Sequence, residues 1–167
     1  MRCLFVRAVV FTVLIPGTVA FVVPSGIVRE FPIELSLGVG RYIGFLPILF
    51  GIALYALSVF SFVVEGRGTP LIWFARPFRF FLGEEPGKLV IGGLYKMTRN
   101  PMYLGVISAV LGQAVLFQSG ALIVYACCLF FIFHTVVVFI EEPHLRRKFG
   151  EEYERYLKST HRWVGIH

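Results

Sequence analysis

The sequence predicts an all-α, polytopic membrane protein with about four transmembrane helices, a cytoplasmic polar loop and an amphipathic C-terminal helix. Three observations carry this reading. Hydrophobic residues make up 57% of the 167 residues and the mean hydropathy is +0.77, which is too apolar for a soluble domain of this size. The apolar residues are gathered into four runs close to the length of a bilayer crossing. Four crossings also sort the Lys and Arg residues strongly to one side. The length suits one domain, residues 1–167.

The first run, Leu4 to Val23, is interrupted only by Arg7, Pro16 and Gly17. Its basic start and Thr18-Val19-Ala20 also fit a signal peptide with a cleavage site. The run continues through Phe21-Val22-Val23 to about 20 residues, which favours a retained helix. Pro24 to Arg41 reads as a mixed loop, and Tyr42 to Val64 as a second, uncharged span. Residues 1–64 are therefore two N-terminal spans, and residues 65–167 carry the functional region. Glu65 to Arg99 is the polar centre. It opens with the turn cluster Gly66-Arg67-Gly68-Thr69-Pro70. Trp73, Phe74, Phe78, Phe80 and Phe81, interleaved with Arg76 and Arg79, suit a membrane interface. Met102 to Phe117 and Ala121 to Ile140 are the remaining apolar runs, and the short link Gln118-Ser119-Gly120 makes them an antiparallel hairpin. From Pro143 to Lys158, Leu145, Phe149, Tyr153, Tyr156 and Leu157 recur at helical spacing. That tail is expected to lie against the membrane face or close over the polar loop, with Trp163 as an interface anchor.

Charge placement orients the whole. The Glu65–Arg99 loop holds six cations, the tail six more, and the N-terminus Arg2 and Arg7, whereas Arg29 and Arg41 alone fall opposite. Membrane proteins collect such charges in the cytoplasm, so the loop, the tail and both termini are expected there, in the inner membrane of a cell. Nucleic acid is not an expected partner, because no basic run is interleaved with exposed aromatics and the tail mixes both signs. Cys3, Cys127 and Cys128 have no disulfide or metal spacing, and no metal is expected.

The densest chemistry lies from Gly92 to Gly105. Asn100 followed by Pro101 reads as an N-cap and first helical residue. The free amides that follow, at the positive end of the helix dipole, suit a carboxylate or phosphate. Met102 and Tyr103 occupy the first turn, and Arg99 stands just before it. Glu141 and Glu142 end the last span about 100° apart, so that one faces a site while the other pairs with Arg99 or the tail. His134, about two turns earlier, is expected on a similar side, where an ionisable group in a span often marks function. Gln113 reads as an interhelical hydrogen-bonding partner.

Gly93-x-Tyr95-x-x-x-Arg99-Asn100-Pro101-Met102-Tyr103-x-Gly105 resembles the signature of isoprenylcysteine carboxyl methyltransferases and related membrane methyltransferases, including phospholipid methyltransferases. Glu141-Glu142-Pro143-His144-Leu145 and Phe149-Gly150-Glu151-Glu152-Tyr153 resemble that family's second motif. The resemblance implies S-adenosylmethionine as cofactor and a lipophilic small molecule or lipid as methyl acceptor, met at the cytoplasmic boundary. It marks Gly87, Lys88, Leu89, Val90, Tyr95, Asn100, Pro101, Met102, Tyr103 and Glu141 as cofactor contacts, beside Arg99, His134 and Glu142 as catalytic candidates. Asn100 stands where the family has histidine; it can donate a hydrogen bond but lacks imidazole basicity. Val137 stands where the eukaryotic prenylcysteine enzymes carry a substrate-binding arginine, which implies a different lipophilic acceptor. Two rivals share the features less completely: an NADPH-dependent enzyme similar to sterol reductases, and a non-catalytic adaptor whose basic loop and tail bind anionic lipid.

Overall fold

Two prolines that a sequence reader takes as helix ends lie inside continuous helical paths. In the computed structural model, which describes residues 2–33, 35–66 and 87–164, α1 (Arg2–Leu14) leads into a wide π-helical turn (Thr18–Val22) and then α2 (Val23–Glu30). The expected loop from Pro24 is therefore helical for its first seven residues. Proline lacks the N–H that would bond the carbonyl four residues back, and its ring crowds that carbonyl. The wide turn relieves the conflict, because Val23 N–H bonds to Thr18 O instead. The two carbonyls left over are both taken by neighbouring spans. Gln113 Nε2 donates to Ala20 O at 2.7 Å, and Tyr125 OH donates to Val19 O at 3.0 Å. In a bilayer no water would satisfy them.

A 3-10 turn (Gly38–Gly44) opens the second span four residues earlier than expected and leads into α3 (Phe45–Val64). A second 3-10 turn (Gly93–Lys96) precedes α4 (Pro101–Leu116). Ser119 caps α5 (Gly120–Val136) by accepting from Leu122 N–H. A second π-helical turn (Val137–Glu141) follows, and α6 (Glu142–Phe149) continues the same path through Pro143. Gly150, at φ 51°, then breaks the chain before α7 (Glu151–Ser159). The expected tail helix is thus two pieces, the first being the end of the last span. The expected turn cluster, Gly66 aside, and the interfacial aromatics around Trp73 lie outside the described residues.

Phe5–Glu30, Gly38–Val64 and Gly120–Phe149 are long and apolar enough to cross a membrane; Pro101–Leu116 is apolar but shorter. Its 16 residues rise only about 24 Å. Nine of them are buried, so α4 is the central helix, touched by the three longer ones. At one end of the bundle Leu35 N–H bonds to Gln118 O and Gly120 N–H to Ile33 O, joining the two connectors. The opposite end gathers residues 87–100, α6 and α7.

Glycines set the α3–α4 spacing. Gly44, the last residue of the 3-10 turn, and Gly51 of α3 face Gly112 and Gly105 of α4 in antiparallel order. A methyl group on Gly105 would sit 2.7 Å from Gly51 O, and one on Gly112 would sit 2.6 Å from Gly44 O. Backbone thus meets backbone, a contact that small residues permit between membrane helices. Ser108 Oγ adds a bond to Pro47 O at 2.9 Å. Gly105→Ala is therefore expected to cost about 1–3 kcal/mol through overpacking. Gly26→Ala, in α2 with nothing within 4 Å of the added methyl, is expected to gain up to about 1 kcal/mol. Melting both variants in detergent checks the pair, and equal losses would contradict the packing argument.

Candidate active site

The loop before α4 is built on aromatic burial. Tyr95, 4% exposed, packs with Val90, Tyr153 and Tyr156, and its ring meets Phe62 edge-on at 5.5 Å. Tyr156 OH donates to Tyr95 O at 2.6 Å. Of the two expected placements for the tail, α7 therefore takes the one over the loop. Burial raises all three phenols, Tyr153 to about 12, so they are neutral near pH 7.

Asn100 does precede Pro101 at the start of α4, but its side chain makes no cap bond. It is buried, and Nδ2 donates instead to Arg162 O at 2.8 Å. Its own N–H bonds to Thr98 Oγ1 at 3.3 Å. The helix start still leaves first-turn amides without intrahelical partners, since the intrahelical bonds begin with Leu104 N–H to Asn100 O.

The paired carboxylates divide sharply. Glu142 is buried and accepts from Arg99 at 3.1 Å and from Arg162 through both oxygens, at 2.7 and 3.0 Å. This charge-assisted fork raises the Arg162 pKa further. Glu141 has a neutral partner: Tyr103 OH donates to it, and the Tyr103 ring lies against Phe133 at 4.5 Å. Among the described residues no cation is paired with Glu141.

A cavity of about 250 Å³ opens beside Glu141. Its walls change character along their length. Phe11, Ile15 and Val19 from the first span, Tyr55 from α3, Val106 from α4, and Phe133 and Val137 from the last span make an apolar arm. Lys88, Arg99, Asn100, Glu141, Glu142 and His144 make a polar mouth. Of the residues singled out in the sequence, Lys88, Leu89, Val90, Tyr95, Arg99, Asn100, Met102, Tyr103, Glu141 and Glu142 all line it. Gly87 is exposed, and Pro101 is buried; neither belongs to the lining.

His134 is also elsewhere. Its Nδ1 accepts from Trp163 Nε1 at 3.1 Å, and its ring stacks with Phe130 and Trp163. Seven residues of regular α-helix would have put it beside Glu141. The π-helical turn between them adds a residue to one turn and shifts the register by about 100°. Sequence reading missed Tyr55, Phe133 and the first-span residues, which look like ordinary lipid-facing side chains. It counted Arg162 as one tail charge among six, and His144 only as a motif letter. Among the described residues, no three His, Cys, Asp or Glu side chains gather as a metal set.

The split predicts opposite stability effects. Glu142→Gln strands two arginines and should cost about 3 kcal/mol, roughly 6–12 °C in melting temperature for a chain this size. Glu141→Gln removes a half-buried carboxylate that has no cationic partner among the described residues, so the ligand-free protein should melt at or above the wild-type temperature. Equal losses in a detergent melt would mean that the carboxylates are equivalent.

A family model described as phospholipid methyltransferase matches residues 48–152. Two rice proteins named probable protein-S-isoprenylcysteine O-methyltransferase, from Oryza sativa subsp. indica and subsp. japonica, are each 28% identical over 120 residues. The match covers 72% of this chain and 58% of each rice protein, so the chain spans about three-fifths of the length of those relatives. A phosphatidylethanolamine N-methyltransferase of Aspergillus terreus is 30% identical over 76 residues, 46% of this chain and 8% of the fungal protein. No solved structure matches the chain.

Proposed function

Because the chain belongs to the phospholipid methyltransferase family, we propose that it is an integral-membrane enzyme moving a methyl group from S-adenosylmethionine to a lipophilic acceptor. The observation that carries this reading is the two-natured cavity with Glu141 at its junction. An apolar arm walled by Phe11, Ile15 and Val106 suits an acyl or prenyl chain, and the mouth suits a zwitterionic, hydroxyl-rich cofactor.

The residues present fit that cofactor. Glu141, held by a neutral donor and facing the cavity, has acceptor capacity for its ammonium or ribose hydroxyls. The first-turn amides of α4, which have no intrahelical partners, suit its carboxylate together with Lys88 and Arg99 at the mouth. Leu89, Val90, Tyr95 and Met102 supply apolar wall, and Asn100 fixes the loop through its bond to the tail. When bound, S-adenosylmethionine supplies an electrophilic methyl on a sulfonium centre. The chain's own work is placement and exclusion of water, with Tyr95, Tyr153 and Tyr156 walling the loop side. Arg99 and Glu142 form the charged frame of the mouth, while His134 anchors Trp163. Val137, 2% exposed on the cavity wall, brings no cation to the acceptor arm, which favours an acceptor other than a prenylcysteine carboxylate.

S-adenosylhomocysteine is expected to raise the melting temperature of the detergent-purified protein, by the equivalent of about 2.7 kcal/mol at 100-fold excess over its Kd. NADPH is not expected to shift it. Glu141→Gln should weaken S-adenosylhomocysteine by about 10- to 150-fold, the scale of a charge-assisted hydrogen bond. A shift with NADPH alone would move the assignment to a reductase, and unchanged binding by a folded Glu141→Gln protein would remove Glu141 from the cofactor site.

The cation distribution supports a cytoplasmic mouth and tail. In a background without native cysteines, a cysteine at Val39 should react with an impermeant reagent added to intact cells, and one at Lys158 should not. The opposite pattern would invert the topology.

A further inference from the structure

The segment from Thr160 to Trp163 touches both halves of the site without entering the cavity. Arg99 N–H bonds to His161 O at 2.9 Å. Arg162 O accepts from Asn100 Nδ2 at 2.8 Å and from Thr98 Oγ1 at 3.3 Å. The Arg162 guanidinium holds both oxygens of Glu142. Trp163 lies against Phe130 at 5.2 Å and bonds to His134. One short stretch therefore straps the loop before α4 to the end of the last span.

Two neighbouring carboxylates at 141 and 142 repel each other unless one is neutralised. Arg99 alone reaches a single oxygen of Glu142, through NH1. The fork from Arg162 takes both oxygens, which fixes the orientation of the carboxylate and of the turn that carries it. Glu141, one residue earlier at the end of the wide turn, is then left with Tyr103 and the cavity.

We propose that Arg162 is a positioning residue for the cofactor: by locking Glu142 in a bidentate pair, it makes Glu141 the carboxylate presented to the ligand. The inference rests on the reading of the cavity as an S-adenosylmethionine site. It also separates two contributions of one residue. The backbone carbonyl holds Asn100 whatever the side chain, whereas the fork requires guanidinium geometry. Lysine keeps the charge and the carbonyl contact and loses only the fork.

Calorimetric titration with S-adenosylhomocysteine of the full detergent-purified chain tests this. Arg162→Lys should weaken binding about tenfold relative to wild type, the scale of one charge-assisted hydrogen bond. In a Glu141→Gln background the same change should alter affinity less than about twofold, because the residue acts through Glu141. Arg162→Gln, which retains a donor but no charge, should lose more than the lysine variant and gives a second reading if that variant fails to fold. Equal fold losses in both backgrounds, or a lowered melting temperature with unchanged affinity, would reduce the strap to a purely structural tie. Wild-type binding that Arg162→Lys leaves intact overturns the inference alone. Absence of wild-type binding overturns the cofactor reading and this inference with it.

Discussion

The glycine seam between α3 and α4 is the constraint from which the rest of the molecule takes its dimensions. With Gly44 and Gly51 against Gly112 and Gly105, the two helices meet at backbone contact. In lipid there is no hydrophobic drive to bring helices together, so close packing and interhelical hydrogen bonds must do it. The seam sets how near α4 stands to Tyr55 and Phe62, and so fixes one wall of the cavity. It also sets where Pro101 begins α4, and therefore where the first-turn amides and Tyr103 lie relative to Glu141. Thr12 then ties the first span to Tyr55 through hydroxyls 3.0 Å apart, completing the apolar arm.

At the polar end, the arrangement resolves an electrostatic problem by unequal treatment. Two adjacent carboxylates at the end of a span are costly unless paired, and pairing both would leave nothing for a ligand. Glu142 receives both arginines; Glu141 receives a phenol. The ion pairs are concentrated on Glu142, and its neighbour keeps acceptor capacity toward the cavity. The aromatic cluster of Tyr95, Tyr153 and Tyr156 gives the frame rigidity without adding charge, because burial keeps those phenols neutral.

Much of this was legible in the letters, for identifiable reasons. Spans are written in hydropathy, which is local, and the long helices lie where the apolar runs do. The two motifs name Tyr95, Arg99, Asn100, Met102, Tyr103, Glu141 and Glu142, which do meet at one cavity. What was not legible depends on partners distant in sequence. Asn100 has the right identity for a cap, yet its amide is claimed by Arg162, 62 residues away. Pro24 looked like the end of a helix because its cost is local, while the compensation comes from Gln113 and Tyr125 on other spans. Tyr55 and Phe133 carry no sign that one side of each faces a cavity rather than lipid.

The wide turn ahead of Pro143 has a consequence that reaches the chemistry of the neighbouring pair. Glu141 and Glu142 are the same side chain, and nothing in their own covalent structure distinguishes the anchor from the receptor. What distinguishes them is phase: the angle at which the helix has arrived after accommodating an imino acid that cannot donate. A neutral residue with no functional group thus acts as the index mark of the site. It sets the angle at which the Arg162 fork meets Glu142, so that helix phase and the fork act together on which acid joins the scaffold.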